Sequence, residues 1–385
     1  MPPTHEDRDH GLCAPYARAT RRESGFSLAE IMIALSLGLI VVAGLGQIYV
    51  AGRSANRIID SNSRLNEHGR FAMEYLARAA RFAGYFSCAD SHASIRNVVD
   101  GDLFWLKHTN GAEAFRVGAN TLPTAIAEAA NPLTDTDVLV VRFADVRQTA
   151  EIAEGDINNT EGIISFTQPH FFNAGDIAVL NTAACDQTTF FQVTSASNSD
   201  GSYAISFAND NAVTPGNCTT ELEGAGHCNN LSGSRNLTNF DTAELNRFVT
   251  QAYFVADDPT GCMDSAANCP GLQDCPTLFT AGAESGFDQS GKPHVIPVLR
   301  NVTDLQVDFG IYDSSTTNQA EPQTTQYVAS TALLDWDDVV SLRLTLQIRS
   351  ELANDAGECP STNFSTTVYF RNAPSATPGR RPILY

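Results

Sequence analysis

The chain has 385 residues, 43% hydrophobic and 18% charged, enough for one large or two modest domains with real cores. Its formal net charge is −20, which excludes nucleic-acid binding through a basic surface and favours a basic partner without naming one. Of nine cysteines only Cys13 precedes the long apolar run; the rest are Cys88, Cys185, Cys218, Cys228, Cys262, Cys269, Cys275 and Cys359. An even set of eight in a polar region suits disulfides and an oxidising compartment.

The first element is that apolar run. Ile31 to Gly52 is 22 residues without a charge, about 33 Å as a helix, enough to cross a hydrocarbon core. It is long for a secretory signal, and no good small-x-small cleavage site follows it. Arg18, Arg21 and Arg22 precede it and Arg53, Arg57 and Arg64 follow, so basic residues do not orient it. The cysteines do, by placing the C-terminal part outside the cytoplasm. Glu30 stands at its start. An acid there suits the helix macrodipole, but inside a bilayer it needs a partner.

The residues around Glu30 form a pattern: Arg21-Arg22-Glu23-Ser24-Gly25, then Phe26-Ser27-Leu28-Ala29-Glu30, then the apolar helix. This resembles the class III signal of type IV pilins and of type II secretion pseudopilins. The resemblance implies that a prepilin peptidase removes a leader of residues 1–25 by cutting between Gly25 and Phe26. It implies N-methylation of Phe26 as well. Glu30 would be the fifth mature residue, an assembly carboxylate that pairs with the terminal amine of Phe26 or of a neighbouring subunit and sets helix register. Cys13 would leave with the leader.

From Arg53 to Arg81 the chain becomes charged with an apolar stripe at Ile58, Leu65, Ala72, Leu76, Ala79 and Ala83, spacings that predict a helix. No Pro interrupts it, and Gly84 is a plausible stop. The expectation is one continuous stem, with residues 26–52 as the transmembrane or filament-core helix and 53–84 as its amphipathic continuation.

Strand signals follow: Asp137–Asp145, Gly175–Asn181, Thr188–Ala196, Ser202–Ala208, Asn246–Ala256, Asn301–Asp313, Asp338–Ser350 and Phe364–Asn372. Several alternate apolar and polar residues, as an antiparallel sheet with one face on a helix requires. Asn209–Asp241 and Asp257–Gly291 read as loops, and the tail APSATPGRRP as irregular. The expected fold is α+β: a long N-terminal helical stem packed on a mainly antiparallel head, residues 85–385, with disulfide-stapled loops. Cys88 with Cys185 and Cys218 with Cys228 are the preferred pairs among 105 possibilities.

No catalytic constellation emerges. The six histidines after the leader form no metal-binding pattern, and Gly282–Gly286 (GAESG) is not a nucleophile elbow. The C-x6-C-x5-C spacing of Cys262, Cys269 and Cys275 is not a zinc ribbon, and Asp264 and Asp274 lie in no calcium-loop pattern. No cofactor, metal or enzymatic activity is expected. Segments such as "AGDIAVLNTAACDQTTFFQVT", "LRNVTDLQVDFGIYD" and "WDDVVSLRLTLQIRS" are similar to those of PilW-type minor pilins. That resemblance implies a low-abundance subunit that primes assembly near the pilus tip. Its implied partners are the prepilin peptidase, other minor pilins, the major pilin and a large tip adhesin. The precursor would sit in the inner membrane with its head in the periplasm, and the assembled form in the filament at the cell surface. The alternatives are a type II secretion minor pseudopilin and, in another class, a membrane-tethered extracellular enzyme or carbohydrate-binding module.

Overall fold

The computed structural model describes residues 25–86, 94–101, 104–106, 110–129, 131–152, 156–199, 202–209, 212–232, 243–258, 275–282, 294–312, 324, 326–330, 339–351, 353 and 358–370. The chain divides into two compact units, Met1–Asn56 and Arg57–Tyr385. A single helix, α1 (Leu28–Arg81), is 54 residues long. It ends in a turn in which Gly84 has φ 74°, a backbone that glycine adopts without strain, and donates its N–H to Arg142 O at 2.9 Å.

The strands of the second unit begin with β1 (Ser94–Asn97), β2 (Ala112–Arg116), β3 (Asp137–Ile152), β4 (Ile157–Asn158) and β5 (Ile163–Phe166). A short helix α2 (Thr124–Ala129) separates β2 from β3. Then come β6 (Ile177–Asn181), β7 (Gln187–Gln192), β8 (Ser195–Ser199), β9 (Ser202–Ser206), β10 (Gly226–His227) and β11 (Ala243–Asp257). The last are β12 (Pro276–Gly282), β13 (Val295–Arg300), β14 (Val302–Ile311), β15 (Gln326–Ala329), β16 (Val339–Arg349) and β17 (Ser361–Tyr369).

They form three sheets. The largest runs β10-β1-β7-β6-β11-β12-β13, with β3 on β11 and β2 on β3. The long strand β11 pairs with β3 from Ala243 to Tyr253, with β6 over Glu244–Arg247 and with β12 over Gln251–Asp257. The second sheet has the order β15-β14-β16-β17 and the third β4-β5-β9-β8. Pairing is antiparallel except where β1 meets β7 and β10.

The core explains the sequence patterns. Leu139, Val141 and Phe143 of β3 pack with the buried face of α1, while Val138 and Val140 pack with Ile126 and Phe254 in a separate cluster. With both faces covered, β3 reads as a continuous apolar run. On β16 Val339 and Val340 join the same core, and from Leu342 on the strand alternates: Leu342, Leu344, Leu346 and Ile348 are buried with α1, while Arg343, Thr345 and Gln347 are only half-buried. The large sheet and the second sheet thus meet the same helix face.

That face differs in part from the predicted stripe. Leu65, Ala72, Leu76, Ala79 and Ala83 are buried as expected, but Ile58 is 46% exposed. Gly69, Met73, Ala77 and Ala80 are buried as well. A Cβ on Gly69 would clash with the ring of Phe364 on β17, so the glycine lets an aromatic ring lie directly on the helix backbone.

Three expectations are corrected. Asp257–Gly291 is not all loop, because β12 lies within it; every residue of β12 is buried between β11 and β13, and its Pro, Thr, Ala and Gly leave no alternation to read. Thr188–Ala196 is two strands, since β7 ends at Gln192 and β8 begins at Ser195. Within Asn209–Asp241 the two-residue β10 pairs with β1.

Gly69→Ala is predicted to lower stability by about 1–3 kcal/mol through overpacking, although helix propensity alone favours alanine by about 1 kcal/mol. Combining it with Phe364→Ala should cost less than the sum of the single changes in urea denaturation of the detergent-solubilised chain, and strict additivity would reject the contact.

Candidate functional site

The N-terminal segment has a defined local geometry. Ser27 precedes the first helical residue, and its Oγ accepts the Glu30 backbone N–H at 3.2 Å. In return the Glu30 carboxylate accepts the Ser27 N–H at 3.0 Å. This is a reciprocal capping box, which satisfies two backbone donors that the start of a helix otherwise leaves unpaired. The S-x-x-E spacing of Ser27-Leu28-Ala29-Glu30 is the local sequence signal for this cap.

Beyond the cap, every large apolar side chain from Phe26 to Val50 is at least half exposed within this chain, from Ile31 at 50% to Phe26 at 82%. A helix that is apolar all round and uncovered requires lipid or other helices around it. At Gly38, Gly44, Gly46 and Gly52 an added Cβ would meet nothing within 4 Å, so no contact inside the chain demands glycine there.

In the head, all five cysteines among the described residues are disulfide-bonded: Cys185, Cys218, Cys228, Cys275 and Cys359. Cys218 pairs with Cys228, as preferred from sequence, across a separation of ten residues. Cys88, Cys262 and Cys269 lie outside the described residues, as do Asp264 and Asp274. No group of three His, Cys, Asp or Glu that could hold a metal occurs among the described residues.

The buried charges are tied into structural pairs. Asp137 is fully buried and bonds Arg116 at 2.6 Å. Its carboxylate also accepts the Val307 N–H at 2.8 Å and the Ser330 hydroxyl at 2.9 Å. One carboxylate therefore joins β2 and β3 of the large sheet to β14 and the end of β15 in the second. Arg142 is fully buried, 2.8 Å from Glu113, and lies over the Phe104 ring at 5.0 Å. Burial pushes its guanidinium below the ordinary value, and the charge and hydrogen bond of Glu113 oppose that. Sequence reasoning singled out neither pair, because their partners are 21 to 29 residues apart or more and belong to no motif.

His170 is buried, with Nε2 3.0 Å from Ser197 O and its backbone N–H donated to Asn198 Oδ1 at 2.9 Å, which locks it as a structural side chain. A cavity of about 360 Å³ lies between α1 and the large sheet, lined by Tyr75, Arg78, Phe82, Phe143, Asp145 and Arg147 among others. Its one carboxylate, Asp145, is held by two bonds from Arg147 at 2.7 and 2.8 Å. Burial raises the Asp145 pKa, but the hydrogen bonds and charge of Arg147, with Arg247, outweigh it and leave the carboxyl below its usual range. A carboxylate so engaged is a poor general base.

Residues 252–381 match the family model of type IV pilus-assembly protein W, and residues 20–46 match the prokaryotic N-terminal methylation motif. No curated protein and no solved structure matches the chain. Taken with the apolar helix and the antiparallel head, the two matches support a type IV pilin. Within that class they support the PilW type, whose matched region runs from the second half of β11 through the second sheet.

Asp137→Ala removes the acceptor for three donors in two sheets. It is predicted to destabilise the head by about 3–5 kcal/mol in chemical denaturation, whereas Asp308→Ala, on the partly exposed pair with Arg343, should cost about 1 kcal/mol or less.

Proposed function

We propose that this pilin is a minor subunit of the type IV pilus that acts in priming or at the tip complex. It is cut by the prepilin peptidase between Gly25 and Phe26 and N-methylated on Phe26. The observation that carries this reading is the uncovered apolar helix with its capped start, a surface that only a membrane or the helices of neighbouring subunits can satisfy. In the precursor the helix from Phe26 to Gly52 anchors the chain in the inner membrane with the head in the periplasm. The disulfides support that side, since such bonds persist in oxidising compartments. After assembly the same helix packs in the filament core.

Glu30 has two tasks in this reading. A carboxylate accepts several hydrogen bonds, so the bond to Ser27 leaves capacity for an amine. The capping box holds the carboxylate at the N-terminal end of the helix, where the methylated amine of Phe26 or of a neighbour meets it. The partners are other minor pilins, the major pilin and a large tip adhesin. The match over residues 252–381 to a pilus-assembly family supports the pilus over the type II secretion pseudopilus.

Glutamine serves the N3 position of a capping box but carries no charge. Glu30→Gln is therefore predicted to keep the cap and still reduce incorporation into sheared filaments by roughly tenfold or more, as loss of a charge-assisted contact implies. Glu30→Ala should do the same. Incorporation of both variants at the unmodified level would overturn the register role. Normal incorporation of the glutamine variant alone would reduce Glu30 to a helix cap.

A further inference from the structure

The sheet edges of the head are unequal. Among the described residues seven strands lie at the ends of the sheets, and six of them are short or interrupted: β10 and β4 have two residues, β15 four, β2 and β8 five, and the six-residue β13 contains Pro297. The seventh, β17, has nine residues, Ser361–Tyr369, with no charge and no proline. It pairs with β16 in unbroken register from Arg349↔Ser361 to Ser341↔Tyr369, without a bulge. Proteins protect exposed edges with charge, proline, bulges or shortness, and β17 uses none of these.

The ladder shows which backbone groups face outward. Phe370 donates to Val340 O at 3.1 Å and Ser350 donates to Pro360 O at 2.8 Å, so the even-numbered residues of this strand bond to β16. The N–H and C=O groups of Ser361, Asn363, Ser365, Thr367 and Tyr369 then point away from it, and all five residues are exposed. Among the described residues no strand pairs with that side. The inner face is anchored by Phe364 on Gly69 and by buried Val368, which keeps the edge rigid.

We infer that β17 is a docking edge that accepts an extended, basic strand from a different protein. Main-chain bonds to the five outward-facing residues supply affinity, and the uncharged Ser, Asn, Thr and Tyr side chains tolerate many partner sequences. The sign of the partner follows from charge. The chain carries −20, so a second copy approaching edge to edge is repelled, whereas a basic strand is steered in. The inference uses the head alone and stands apart from the filament reading.

A basic strand serves as the probe: a synthetic peptide copying Val339–Arg349, which carries two arginines and no acid; inside the fold this segment pairs with the even-numbered side of β17, so the odd-numbered amides report the outer edge separately. Labelled peptide is titrated onto the detergent-solubilised full chain, with hydrogen exchange read across residues 361–369. Binding is expected, weakened by added salt, with new protection confined to the odd-numbered amides. Ser365→Pro removes one outward donor and leaves the β16 ladder intact, so it should weaken binding about tenfold at an unchanged melting temperature. Ser365→Ala keeps the donor and should bind like the parent. Failure of the parent chain to bind, or unaltered exchange of the odd-numbered amides with peptide present, overturns the inference. Protection of those amides without peptide, in a dimer of the chain, assigns the edge to a second copy and overturns the basic partner. Should Ser365→Pro melt early, the exchange pattern of the parent chain alone decides.

Discussion

One helix faces two different solvents, and the rest of the structure depends on how its side chains divide that work. Up to about Gly52 its surface is apolar all round and uncovered within the chain. From Leu65 onward one face is buried and the others carry charge. The buried face is built mostly from Gly and Ala, with Leu65, Met73 and Leu76 as the larger members. Small residues let two sheets approach one helix closely, and dense contact at short distance is what makes such a face stable. On the side of the second sheet the ring of Phe364 lies against Gly69.

The two sheets that share this face are then held to each other by polar links as well as by the helix. Asp137 is the chief one, because its carboxylate reaches Arg116, Val307 and Ser330 at once. Such a carboxylate adds specificity of arrangement only while all its partners are present, and a half-satisfied version is worse than an apolar core. Among the described residues nothing pairs with the outer side of β17, which is longer than every other edge strand. Stem, clamp and edge thus form a physical sequence: the small-residue face positions the sheets, the carboxylate fixes them, and the fixed sheet presents a rigid strand.

Much of this was legible in the chain. The helix, its apolar half and its stop near Gly84 follow from apolar content, spacing and glycine, all of them local signals. The main strands β3, β11, β14, β16 and β17 were visible because they alternate or run apolar over many residues. What escaped is non-local. Strand β12 is fully buried, yet it is short, its only large apolar residues are the adjacent Leu278 and Phe279, and its identity comes from β11 and β13 on either side. Ile58 fits the helical spacing but is 46% exposed, a matter of where the sheets end that spacing alone does not carry. The Asp137 links span up to 193 residues, beyond any motif. At the N-terminus the signal is wholly local: Ser27 and Glu30 have the spacing of a capping box, and the same glutamate also stands at the start of the apolar run.

The account rests on the helix becoming the start of the mature chain, with its cap and carboxylate beside a free amine. The most direct test is the N-terminal sequence and intact mass of the membrane-bound protein, from cells with and without the prepilin peptidase. The account predicts a chain beginning at N-methylated Phe26 when the peptidase is present and an uncut precursor when it is absent. Retention of residues before Phe26 in peptidase-positive cells, or a cut beyond Gly52 that discards the apolar helix, would contradict it.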